Sequence, residues 1–235
     1  MTAVENIPPE NRQQGITLKD RMLAEWERVL AAEGISLTTE GLISALNSPH
    51  LSVRTGSAVI LGRRQEIAAL PYLKALLEDQ PMVRVEAAMT LVLLGDESGK
   101  IALIKMLDDP LLTGSPVTAA GYLAVSGDPR GYQVVLQALN HDLAGIRLTA
   151  AVALRSFSGY HGREVNGNRI DLFDTVKKAL KDPSGIVRRE LLYVLAGLAE
   201  AGVAAVLSRI ARSDSNQGVR LVARHLSYLK KRTKN

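Results

Sequence analysis

Five stretches of this chain share one pattern: a polar turn, a β-branched residue followed directly by arginine, then apolar residues at helical spacing. The β-branched anchors are Val53, Val83, Ile146, Val187 and Val219, with separations of 30, 63, 41 and 32 residues. The clearest copy runs from Pro81 to Pro110. Val83, Ala87, Leu91 and Leu94 form one helical stripe, Gly95 and Asp96 break it, and Ile101, Ile104 and Leu107 form a second. A unit of two short amphipathic helices keeps an apolar face that only a neighbouring unit can bury, so the spacing predicts a stacked array of helix pairs. The 63-residue gap holds a degenerate copy in which Pro116 falls near the arginine position, and the 41-residue gap is one unit lengthened by residues 157–169. Strands are not expected, because the apolar positions follow helical spacing and Ala and Leu greatly outnumber aromatics.

Composition narrows the chemistry. The chain has 235 residues, 46% of them apolar and 4% aromatic, so its core must be built from Ala, Leu, Val and Ile. It has no cysteine, which excludes disulfides, thiol catalysis and thiolate metal sites. No basic segment leads into an apolar run near the amino terminus, and no apolar stretch is long enough to span a membrane. A cytoplasmic protein without membrane attachment is the expectation. The net charge of +5 is uneven: residues 1–117 carry 11 Lys/Arg against 15 Asp/Glu, a net −4, whereas residues 118–235 carry 18 against 9, a net +9. That polarity can steer an acidic partner or a nucleic acid, or it can reflect basic residues placed near helix ends.

The expected organisation is a flexible tail over 1–16, a capping helix within 17–38, a repeat array over 39–230 and a flexible basic tail over 231–235. In the capping helix Leu18, Met22, Trp26, Val29 and Leu30 share one face, and Trp26 is expected to close that end of the core. Thr17 and Asp20 suit a capping-box-like start, and Gly34 a stop. Helix pairs are expected at 39–47 with 53–62, 66–78 with 83–94, 97–108 with 117–125, 130–140 with 145–156, 170–181 with 187–198, and 202–211 with 219–230.

At the anchors the chain resembles the HEAT repeat family, particularly the short HEAT-like repeats of the phycobilisome-lyase type. The stretches that carry the resemblance are SPHLSVRTGSAVILG, DQPMVRVEAAMTLVLLGD, HDLAGIRLTAAVAL, DPSGIVRRELLYVLAGL and SDSNQGVRLVARHL. The resemblance implies an all-α fold, an α-α superhelix or HEAT-like solenoid of about six helical pairs plus the amino-terminal capping helix. It also implies that Arg54, Arg84, Arg147, Arg188 and Arg220 support the inter-repeat turns through a nearby acid or carbonyl groups. Asp79, Asp142, Asp182 and Asp214 precede the corresponding arginines by five to six residues, and each is expected to cap the helix start and meet the guanidinium of its own turn.

The second helix of each HEAT pair typically lines a binding face. Beside its buried stripe lie Val85, Met89, Leu148, Val152, Arg155, Arg189, Tyr193, Leu221, His225 and Tyr228, a mixed apolar, aromatic and basic set that can receive a partner or contact the next repeat. Arg155, Arg189, Tyr193, His225 and Tyr228 are the partner-binding candidates. The 157–169 loop adds Tyr160, His161, Arg163 and Arg169 among glycines, groups that can stack or donate hydrogen bonds; a bare surface insertion is the alternative.

Nothing converges on a reaction. His50, His141, His161 and His225 are scattered without zinc spacing, and no phosphate-binding glycine loop is present, so no catalytic, cofactor-binding or metal residue is assigned. The reading that follows is a non-catalytic protein-binding scaffold or assembly adaptor. The alternative is a nucleic-acid binder that aligns Arg147, Arg155, Arg163, Arg188 and Arg189 on one positive face. A third reading, resting on the resemblance alone, is a lyase-associated or chaperone-like role in chromoprotein assembly.

Overall fold

The computed structural model describes residues 18–108, 115–165 and 167–232. The expected tail over 1–16, the Thr17 cap and the turn at 109–114 lie outside the described residues. Of the expected basic tail, Lys231 and Arg232 belong to the last helix and the remainder lies outside. The fold is all-α, built from an amino-terminal helix followed by helix pairs. The described residues form thirteen α-helices: α1 (Leu18–Ala32), α2 (Thr39–Ala45), α3 (Leu51–Arg63), α4 (Leu70–Ala75), α5 (Pro81–Leu93), α6 (Glu97–Met106), α7 (Ser115–Val125), α8 (Tyr132–Ala138), α9 (Ala144–Leu154), α10 (Leu172–Ala179), α11 (Gly185–Gly197), α12 (Val203–Ser213) and α13 (Gln217–Arg232). After α1 these fall into six pairs in chain order. A two-residue antiparallel ladder, β1 (Glu164–Val165) with β2 (Asn168–Arg169), lies inside the loop where no strand is expected.

The chain divides into two compact units, residues 1–99 and 100–235, with the boundary inside α6. In the first, α3 packs on α1, α2 and α5, and buries Val53, Ala58, Ile60 and Leu61 among Leu30, Leu42, Leu73, Val83 and Leu91. Each such leucine contributes roughly 1.5–3 kcal/mol through removal from water. Trp26 is half-buried and packs against this core, over Gly56, where a Cβ would lie 2.7 Å from the indole. In the second unit α9 packs on α7, α8 and α11, while α11 packs on α10, α12 and α13. Its largest fully buried side chain is Phe157, from the loop that the sequence presents as an insertion.

One device ends four helices. After α1, α3, α5 and α7, residues Gly34, Gln65, Gly95 and Gly127 take positive φ (72°, 58°, 78° and 93°). In each case the following amide donates to a carbonyl five residues back, as from Asp96 N to Leu91 O at 2.8 Å and from Glu66 N to Leu61 O at 3.0 Å. This left-handed closure turns the chain sharply toward the next pair, and glycine fits it without a Cβ penalty. Gln65 alone among the four pays that penalty. Replacement Gln65→Gly is expected to raise unfolding stability by about 0.5–1 kcal/mol in denaturant titration, part of the left-handed cost being offset by a freer unfolded chain.

Candidate partner-binding face

The turns between pairs are tied by the anchor arginines. Arg54 Nη1 donates to the carbonyls of Ser48 (2.7 Å) and Pro49 (3.2 Å), while Nε and Nη2 form a fork with the Asp79 carboxylate at 2.7 and 2.8 Å. The second unit repeats this twice. Arg147 holds the carbonyls of His141 and Asp142 and forks onto Asp182, and Arg188 holds those of Asp182 and Pro183 and forks onto Asp214. Arg84 donates to Asp79 O at 3.2 and 2.9 Å, and Arg220 to Asp214 O and Ser215 O at 2.7 and 3.1 Å.

The carboxylates therefore do not serve the arginine of their own turn, as the spacing suggests. The Asp side chain meets the guanidinium of the preceding repeat, 25, 35 or 26 residues back, and only its backbone carbonyl faces its own arginine. The helix start explains why. Each carboxylate also accepts a backbone amide just downstream, Gln80, Ser184 or Asn216, at 2.6, 2.7 and 2.8 Å, which turns it away from the following arginine and toward the previous turn. Asp142 contributes its carbonyl alone to the ties described here.

These ties set the electrostatics. Hydrogen bonding from Arg54 and Arg188 holds the carboxyls of Asp79 and Asp214 below the ordinary range. At Asp182 burial pushes upward, but the Arg147 fork and the Ser184 amide overcome it and the net direction is down. Asp96, bonded by Lys74 and Ser98, is lowered to about 2. Arg188 and Asp214 are nearly removed from solvent, with side chains 9% and 5% exposed.

What the turns leave outward is a strip on α9, α11 and α13, three second helices packed side by side. Five residues after the arginines of these helices stand Val152 (49% exposed), Tyr193 (39%) and His225. Arg155 lies over the Tyr193 ring at 5.8 Å, Arg189 is exposed one residue after Arg188, and Leu221 and Tyr228 are more than half exposed. Sequence reasoning places Val85 beside these groups, but it is buried, and Met89 and Leu148 are half-buried. The expected positive face is also incomplete: Arg147 and Arg188 are spent in forks, leaving Arg155, Arg163 and Arg189 exposed.

The 157–169 segment is anchored rather than draped. Phe157 packs against Tyr132 and Tyr160 with ring centroids 5.3 and 6.3 Å away, and the Tyr160 hydroxyl donates to Ala124 O at 3.0 Å. His161 Nδ1 accepts the Leu172 amide at 3.2 Å, which leaves Nε2 to donate to Glu200 at 2.9 Å. Two bonds of 2.8 Å, Gly162 N to Ile170 O and Ile170 N to Arg163 O, close the loop. Tyr160 and His161 are thus half-buried and already hydrogen-bonded, while Arg163, over the Tyr160 ring at 5.8 Å, and Arg169 stay exposed. The clue in the sequence was Phe157, whose apolar ring follows directly on the α9 stripe.

Arg188→Ala is expected to destabilise by about 3 kcal/mol, because it strands the Asp214 carboxylate in a desolvated turn; melting in calorimetry checks this. The lowered carboxyls give a definite pH sign. Their stabilisation is complete above the unfolded value near 3.9 and is lost as pH falls through the lower folded values, a range that reaches about 2 for Asp96. Acid titration of the unfolding free energy should therefore drop below about pH 4, and less steeply in Asp214→Asn.

Comparison with known proteins follows the same lines. Residues 39–112 match the family model described as HEAT repeats. No curated protein gives a significant match. Among solved structures, a chain of the complex of CpcE and CpcF of phycocyanin lyase from Nostoc sp. PCC7120 is similar at 23% identity and a TM-score of 0.51, over 80% of this chain and 75% of that one. Human deoxyhypusine hydroxylase in complex with glycerol shows 21% identity over 94% of this chain and 78% of that one, with a TM-score of 0.35. The likeness to the Nostoc chain is one of fold, and it places the helix pairs described above in the HEAT-like, α-solenoid class.

Proposed function

We propose that this chain is a non-catalytic scaffold or assembly adaptor that binds a protein segment along the second-helix strip of α9, α11 and α13. The observation that carries this reading is the exposure of Val152, Tyr193 and Leu221 on three adjacent helices beside Arg155 and Arg189, whose guanidinium groups enter no ion pair among the described residues. Apolar and aromatic groups interleaved with free cations suit a partner that presents apolar side chains and carboxylates. The backbone beneath is held by the arginine ties, so little ordering cost falls on this side of the complex.

The fold likeness to a chain from a two-protein complex suggests a protein as the kind of partner to seek. It also leaves a lyase-associated role in chromoprotein assembly as a reading, and pigment retained in a purified complex would select it. Nucleic-acid binding rests on the +9 half of the chain, and pairing of Arg147 and Arg188 weakens it.

The test compares tagged wild type with Tyr193→Ala and Arg189→Glu in capture from native lysate, with nuclease and at two salt concentrations. A stoichiometric protein that survives nuclease, and whose affinity falls roughly 5- to 30-fold in each variant without a change in melting, is the expected result. Capture that requires nucleic acid and declines steeply with salt would replace this reading with the nucleic-acid one.

A further inference from the structure

The last helix pair departs from the others at the positions that bury the repeat-to-repeat contact. Four and seven residues after the turn arginine, α9 has Ala151 and Leu154 and α11 has Leu192 and Leu195, all buried. The corresponding residues of α13 are Arg224 and Ser227. Arg224 is exposed and Ser227 is buried, and a polar helix face needs for solubility only interspersed charges of both signs. Here the signs are not interspersed. From Val203 to Arg232 the chain carries seven Lys/Arg and a single acid, Asp214, which is tied to Arg188.

Between α12 and α13 three of these cations line an open surface cavity of 280 Å³. Arg212 enters from α12, and Arg224 and Lys231 from α13, with no carboxylate in the lining and no ion pair to any of the three among the described residues. Ser208 and Ser227 both line it, with hydroxyl oxygens 3.2 Å apart, so one hydroxyl donates to the other. Tyr228 supplies one wall. Three cations without an ion pair in one concavity form a field that attracts a compact multivalent oxyanion, and arginine forks match such an anion's geometry.

We propose that this cavity is a binding site for a phosphate group, carried either by a free anion or by a phosphorylated side chain. It adjoins the protein-binding strip at Tyr228, while the strip's Tyr193 and Arg189 take no part in it. The test titrates the full-length ¹⁵N-labelled chain at constant ionic strength with inorganic phosphate and, separately, with phosphoserine, following the amides of Ser208, Arg212, Arg224 and Ser227. Saturable one-to-one shifts confined to α12 and α13 are expected. Arg212→Ala/Arg224→Ala, both at exposed positions, should weaken binding at least about tenfold with unchanged melting, while Arg163→Ala/Arg169→Ala should bind like wild type. Equal affinity for the two ligands would assign the free anion, and tighter binding of phosphoserine the phosphorylated side chain. Shifts that never saturate, that spread over exposed cations throughout the chain, or that persist in the Arg212/Arg224 variant would overturn the site.

Discussion

A guanidinium drawn into a turn must find partners for its donors, and that requirement organises the repeats of this protein. At Arg54, Arg147 and Arg188 it is met from two sides: carbonyls of the arginine's own turn bind Nη1, and a carboxylate from the following repeat takes the other edge. An ion pair of this kind adds little net stability against an apolar substitute, yet removing one partner is costly. Its effect is therefore geometric. The fork is planar and bidentate, so successive turns are held at one separation and register, and the apolar stripes of the helices behind them are brought face to face.

The same ties decide which charges the surface displays. Arginine is abundant in the carboxyl-terminal unit, but its chemistry differs by position. Arg147 and Arg188 are neutralised within turns, whereas Arg155, Arg189, Arg212 and Arg224 stand outside the forks. A long positive face along the repeats is thereby broken. In its place are a mixed strip, where an arginine lies over an exposed tyrosine, and a compact cationic cavity at the last helix pair. The first exposes apolar groups beside cations, and the second gathers three cations without a carboxylate.

The insertion obeys the core before it offers anything to a partner. Phe157 extends the apolar stripe of α9 into the interior, Tyr160 reaches a carbonyl of α7, and His161 is fixed between the α10 start and Glu200. With these three committed, the tip becomes a two-residue ladder between Gly162 and Ile170 that leaves Arg163 and Arg169 outward. Glycines at 162 and 167, both at positive φ, permit the reversals.

Helical period, Gly-Asp turns and Val-Arg anchors lie within a few residues of one another, so the sequence by itself determined the helices, their pairing order and the all-α class. The helix ends at Gly34 and Gly95 could be read for the same reason, since left-handed closure is a local property. The tertiary structure decided everything that depends on contacts across a repeat. The partner of each arginine lies 25 to 35 residues away, beyond any local rule, and the competing amide at the helix start sends each carboxylate backward. Burial of Val85, commitment of Tyr160 and His161, and convergence of Arg212 with Arg224 and Lys231 follow from packing between helices. Helical spacing tells which residues share a face; only the neighbouring helix determines whether that face meets protein or solvent.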